Sequence, residues 1–123
     1  MMGYDVYDSG CPARMVLDHV GDKWALLVLG RLGQSPVRFN ALRREIHGLS
    51  QKVLSQVLKR LERDGLITRE VFPTVPVTVE YALTGLGECL NAKVGPLLHW
   101  AEANMEQIKA AQIAYDGRTA MAA

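Results

Sequence analysis

The chain has 123 residues, 49% of them apolar and 22% charged, with 14 Lys+Arg set against 13 Asp+Glu. That length supports one domain with its own core, and no apolar run approaches the roughly 20 residues of a membrane span. The opening MMGYDVYDSGCP lacks the basic and then apolar regions of a signal peptide, so the expected location is the cytoplasm.

Residues 1–10 carry no periodicity and are expected to form a flexible arm. Pro12 suits the first turn of a helix, with Cys11 beside the cap position. That helix runs to about Val20 and is expected to bury Met15, Val16 and Val20. Gly21 breaks it, and Asp22 caps a second helix through Leu32 with Trp24, Leu27, Val28 and Leu32 facing inward. Gly33 and Pro36 end the second helix. Residues 37–39 suit a short strand, and residues 40–46 a third helix with Leu42 and Ile46 on its apolar side. His47, Gly48 and Leu49 then turn the chain into a fourth helix. Two short helices across a tight glycine-containing turn make a helix-turn-helix unit.

The stretch from 49 to 84 is the most informative. Ser50 is a good N-cap, and Val53, Leu54, Val57, Leu58 and Leu61 recur at helical spacing. Gly65 stands where a helix end needs a left-handed residue. Residues 66–72 and 77–83 carry the β-branched and aromatic residues of two strands joined by a proline-marked turn. The fold class expected is α+β and mainly helical: a winged helix-turn-helix with an additional N-terminal helix and a long C-terminal helix. Thr84 caps that last helix, over residues 84–115, and Leu86, Leu90, Val94, Leu97, Ala101, Met105 and Ile108 form its stripe. Pro96 predicts a kink or a division at Gly95-Pro96. The helix is longer than so small a domain needs, so its stripe fits a second copy; covering its own domain is the competing reading. The winged domain thus spans 11–115, and residues 116–123 read as a frayed tail.

Net charge conceals a segregation. Residues 31–69 hold nine Lys+Arg and three Asp+Glu, a local balance of +6, and the remainder of the chain is −5. A basic middle that coincides with the helix-turn-helix points to a polyanion. Ser50, Gln51, Lys52, Ser55 and Gln56 occupy the half of the fourth helix that reaches base edges in such proteins. Lys59, Arg60 and Arg63 lie further along it, toward phosphates or solvent. Arg38, Arg43 and Arg44 on the preceding strand and helix, with Arg69 on the first wing strand, are candidate backbone clamps. For any one of them, a solvated surface charge is the bland alternative. Trp24 and Trp100 read as core packing, as does Tyr81.

Several ordered blocks carry a resemblance: CPARMVLDHVGDKWALLVLGRL, PVRFNALRREIHGLSQKVLSQVLKRLERDGLITR and VEYALTGLGECL. Over about residues 11–100 the chain resembles the HxlR-type transcriptional regulators, a winged-helix branch related to the MarR regulators. The resemblance implies a homodimer formed through the first and last helices and binding to double-stranded DNA near promoters, at a pseudo-palindromic operator. Some members sense oxidants or electrophiles through the cysteine before the first helix, which here is Cys11. The wing departs from the family pattern. Val77 and Thr78 stand where a second proline and a basic residue are common, so the wing is expected to add less affinity, leaving more to Arg69 and the helices.

Cys11 and Cys89 are the only cysteines. A helix N-terminus favours a thiolate, and Arg14 lies one turn on, so Cys11 reads either as a redox sensor or as an inert half-buried cysteine. Cys89 reads as packing. No Cys-x-x-Cys occurs and His19, His47 and His99 are scattered, so no metal site is expected. The absence of a glycine-rich phosphate loop, nucleophile elbow or His-Glu-x-x-His leaves no expected catalytic residue and no cofactor. Two rivals to a thiol-responsive regulator remain: a winged-helix protein–protein module, and a small-molecule-responsive regulator with inert cysteines. Operator, effector and sign of regulation are left open by the sequence.

Overall fold

A computed structural model describes residues 3–122 and side chains through 118. Met1 and Met2 of the expected arm and Ala123 of the expected tail lie outside the described residues. The elements are α1 (Pro12–Val20), α2 (Lys23–Leu32), β1 (Val37–Arg38), α3 (Phe39–Glu45), α4 (Gln51–Arg63), β2 (Ile67–Phe72), β3 (Thr78–Leu83), α5 (Gly85–Ala103) and α6 (Met105–Ala122). The three strands form one antiparallel sheet in the order β1-β3-β2, with Tyr81 opposite both Val37 and Arg69. This is a winged helix-turn-helix flanked by α1 on its N-terminal side and by α5 and α6 on its C-terminal side.

Local chemistry explains the element ends. Asp22 caps α2 by accepting from Trp24 N, Ser50 caps α4 by accepting from Val53 N, and Thr84 caps α5 by accepting from Gly87 N. Gly48 and Gly65 adopt φ of +85° and +75°, which turns the chain out of α3 and out of α4. Residues 6–10 form successive turns in which Asp5 accepts from Tyr7 N and Asp8 from Gly10 N.

The core lies between α2, α4 and the sheet. Val28, Leu29, Leu42, Leu54, Val57, Leu58 and Leu61 are fully buried, joined by Leu32, Ile67, Tyr81 and Val94. The stripe expected on α4 is therefore inside, with Val53 at its edge. Elsewhere the apolar faces are real but not covered. On α1 only Val20 is buried; Met15 is 60% exposed and Val16 is exposed as well. On α2, Ala25 and Leu29 take the inward places and Leu27 is exposed. Trp24 packs against the core, with Lys23 Nζ 4.7 Å from its ring centre, whereas Trp100 is 55% exposed.

The C-terminal helix does divide, but not at Gly95-Pro96. Pro96 sits on an exposed face inside α5, and the break falls at Asn104. There Trp100 O accepts from both Asn104 N and Asn104 Nδ2, so a side-chain amide completes the end of α5. Residues 116–122, expected as a frayed tail, continue α6 as helix.

Candidate nucleic-acid interface

With its apolar face buried, α4 must present its polar face to solvent. Gln51, Lys52, Gln56, Lys59 and Arg63 are exposed on it and Ser55 is half-buried. Ser50 is also exposed, with its Oγ accepting from Val53 N at 3.1 Å. Arg38, Arg43, Arg44 and Arg69 are exposed on the neighbouring elements.

Three adjoining depressions link these residues. Ser55, Lys59, Glu62 and Arg69 border one beside α4. Arg38, Asn40, Arg44 and Arg69 face Val77 and Thr78 of the β2–β3 hairpin across a second, of about 560 Å³. Asn40, Arg43, Arg44 and Leu49 border the third. Arg69 and Arg44 are each shared by two depressions, so the sheet, α3 and α4 form one continuous grooved surface. Gln51, Lys52, Gln56 and Arg63 stand on α4 outside the depressions. Asn40, which borders two of them, was not among the expected contacts. Its position after Arg38-Phe39, in the first turn of α3, is the only signal the sequence offers.

The charge on this surface is purer than a count suggests. Of the nine basic residues in 31–69, two are occupied: Arg31 pairs with Glu45, and Arg60 with Asp22 at 3.1 Å. Among the acids there, Glu45 is used by Arg31 and Asp64 by His19 at 2.9 Å. Arg38, Arg43, Arg44, Lys52, Lys59, Arg63 and Arg69 have no ion-pair partner among the described residues. Seven cations facing solvent outnumber the unpaired acids of the same helices and sheet, Glu62, Glu70 and Glu80, and can hold a row of anions.

Arg60, which the sequence left between phosphate and solvent, is an internal tie. Asp22 Oδ1 accepts from Trp24 N while its Oδ2 accepts from Arg60, so one carboxylate caps α2 and fastens α4 to it. Replacing Asp22 with alanine is expected to cost about 1–2 kcal/mol, about 1 for the cap and up to about 1 for this partly exposed pair. Asp22→Asn keeps the cap and loses only the pair. Urea midpoints measure both, and equal losses in the two variants would show that the cap contributes nothing.

Cys11 is the N-cap residue of α1, half-buried, and its side chain makes no cap hydrogen bond. Arg14 donates to Tyr7 O at 3.3 Å. Cys89, expected to be packed, is exposed on α5. At its other end α1 is bonded to α4 through His19 and Asp64.

Fold and surface together define a winged helix-turn-helix transcriptional regulator. The pattern described as HxlR-like helix-turn-helix matches residues 19–109, and the chain belongs to that family. It is 43% identical over 106 residues to the uncharacterized HTH-type transcriptional regulator YtfH of Escherichia coli (strain K12), covering 86% of this chain and 84% of that one. The solved structure of the putative transcriptional regulator ytfH from Salmonella typhimurium superposes with a TM-score of 0.86 at 42% identity, covering 89% of this chain and 98% of that one. The redox regulator HypR in its oxidized form gives a TM-score of 0.70 at 37% identity, covering 76% of this chain and 97% of that one.

Proposed function

We propose that the protein is a homodimeric regulator that binds a pseudo-palindromic operator in double-stranded DNA. The observation that carries this reading is the run of seven unpaired cations on β1, α3, α4 and β2, which outnumber the unpaired acids Glu62, Glu70 and Glu80 of the same helices and sheet. In it, α4 enters the major groove, with Gln51, Lys52, Ser55 and Gln56 toward base edges and Ser50 at its entering end. Arg38, Arg43, Arg44, Lys59, Arg63 and Arg69 hold phosphates, each contact steepening the log–log salt dependence by about one unit. The second copy covers the exposed Met15, Val16 and Leu17 of α1 and the exposed Leu97, Trp100 and Met105 of the C-terminal helices. Two-fold symmetry then sets half-sites about 34–36 Å apart, or a multiple of that.

Thiol control through Cys11 belongs to the same reading, supported by the likeness to a redox regulator and by the path from α1 to α4 through His19 and Asp64. A displacement of α1 on oxidation would be passed to the end of α4. Loss of DNA binding after diamide treatment, and its persistence in Cys11→Ser, is the expected pair of results. An unchanged response in Cys11→Ser would remove the sensor and point to a small-molecule effector.

The test of DNA binding is a gel shift with the DNA flanking the protein's own gene. Lys52, Gln56 and Lys59 replaced together by alanine should weaken the complex by more than about 100-fold, at about 1–3 kcal/mol for each of the base contacts of Lys52 and Gln56 and with the phosphate held by Lys59 lost besides, while the protein stays dimeric. Retained affinity in the triple variant would refute α4 as the reading element and favour a protein–protein module.

A further inference from the structure

The hairpin tip is built so that its polar groups face inward. Thr74 Oγ1 donates to Pro76 O at 2.8 Å and lies 3.3 Å from Thr78 Oγ1, so the tip's hydroxyls are used within the wing. What faces out is apolar: Val75 is 102% exposed and Val77 63% exposed, and residues 72–79 contain no charged side chain. An uncharged tip has little to offer a phosphate. It also stands against the cleft of Arg38, Arg44 and Arg69, which Pro76, Val77 and Thr78 help to line.

That juxtaposition selects the occupant. Anything covering Val77 also covers three guanidinium groups that have no ion-pair partner among the described residues. Burying them against an uncharged or apolar protein surface would leave charges unpaired, with nothing to offset their lost hydration. A second copy is already engaged through its apolar α1 and C-terminal faces in the reading above, and the acids there, Asp18, Glu88, Glu102 and Glu106, are scattered over three helices without the regular spacing of a phosphate chain. A nucleic-acid strand supplies both requirements at once: phosphates at regular spacing for the arginines, and deoxyribose C–H surface between them for the valines.

We infer that this wing contacts DNA by apolar packing, with Val75 and Val77 against the sugar faces of the strand whose phosphates occupy the Arg38–Arg44–Arg69 cleft. The inference rests on the DNA-binding reading above and reverses the expectation that a wing without a cation adds little. The wing's share of affinity is then independent of salt, because no counterion is released when uncharged groups dock.

Titrations of the flanking DNA fragment at several salt concentrations test it. Val75→Ser with Val77→Ser should weaken binding about tenfold at every salt concentration, with the log–log slope unchanged. Both side chains are exposed, so the thermal midpoint should not move. Val75→Arg should tighten binding and steepen the slope by about one unit if the tip lies on the strand. Unchanged affinity in the serine variant overturns the inference, and if the Lys52, Gln56 and Lys59 variant still loses binding, the DNA-binding reading stands without it. A slope altered by the serine substitutions, or no effect of Val75→Arg, also overturns it. Failure of the wild-type protein to bind overturns both readings.

Discussion

Replacing Gly87 with alanine is expected to lower the unfolding free energy by about 3 kcal/mol and the thermal midpoint by about 12 °C. A β-carbon on Gly87 would lie 2.0 Å from Leu66 O and 3.0 Å from Leu66 C, both backbone atoms that cannot swing aside. The same carbonyl accepts from Thr84 N, and Thr84 Oγ1 donates to Gly65 O while accepting from Gly87 N. One methyl group would therefore disturb the start of β2, the cap of α5 and the turn after α4 together. Gly95, on the same helix, has nothing within 4 Å of a built β-carbon. Gly95→Ala should instead stabilise the helix by about 0.5–1 kcal/mol. Thermal unfolding of the two variants side by side decides the matter; equal effects would mean that the contact with Leu66 relaxes without cost.

The second large effect is expected from charge placed on the outer face of α5. Leu97 and Trp100 are exposed in the protomer, so Leu97→Glu with Trp100→Glu should leave the protomer's fold unchanged and lower the midpoint only by what the partner contributes. In the proposed dimer the same two residues are covered, and two carboxylates from each copy would be buried without partners. Sedimentation should show a monomer. Operator affinity should fall by about 100-fold or more, because a second half-site bound through a linked copy gains from its effective concentration. A variant that sediments as the wild type does would exclude this face from the interface.

These two substitutions also mark what a sequence can and cannot convey. The helix-turn-helix and wing were legible because each of their signals is local. Ser50, Gly65 and Thr84 act on backbone groups within a few residues, and the α4 stripe is periodic over three turns. Met15, Val16 and Trp100 are exposed against expectation because periodicity reports that a face is apolar, not which chain covers it. The basic surface was legible as a segment, yet Arg31 and Arg60 could not be separated from it. Their partners, Glu45 and Asp22, are 14 and 38 residues away in sequence and meet them only through the fold. A missing donor and a steric clash are strong local signals, and at Pro96 they predict a kink or a division of the last helix. On an exposed face, however, the carbonyl that loses its donor can turn to water. The break went to Asn104, whose amide competes for the Trp100 carbonyl.

That shared carbonyl gives the chain a lever. The residue whose indole lies in the exposed apolar face also supplies the oxygen that sets how α6 leaves α5. An 18-residue helix is about 27 Å long at about 1.5 Å per residue. A tilt of about 10° at the Asn104 joint would therefore carry its far end about 5 Å, without a single core side chain repacking. In the proposed pair of subunits, such a swing would change the distance between the two reading helices by up to about 5 Å, about a seventh of one DNA turn. The spacing of the operator's halves would then be tuned by the geometry of one oxygen atom.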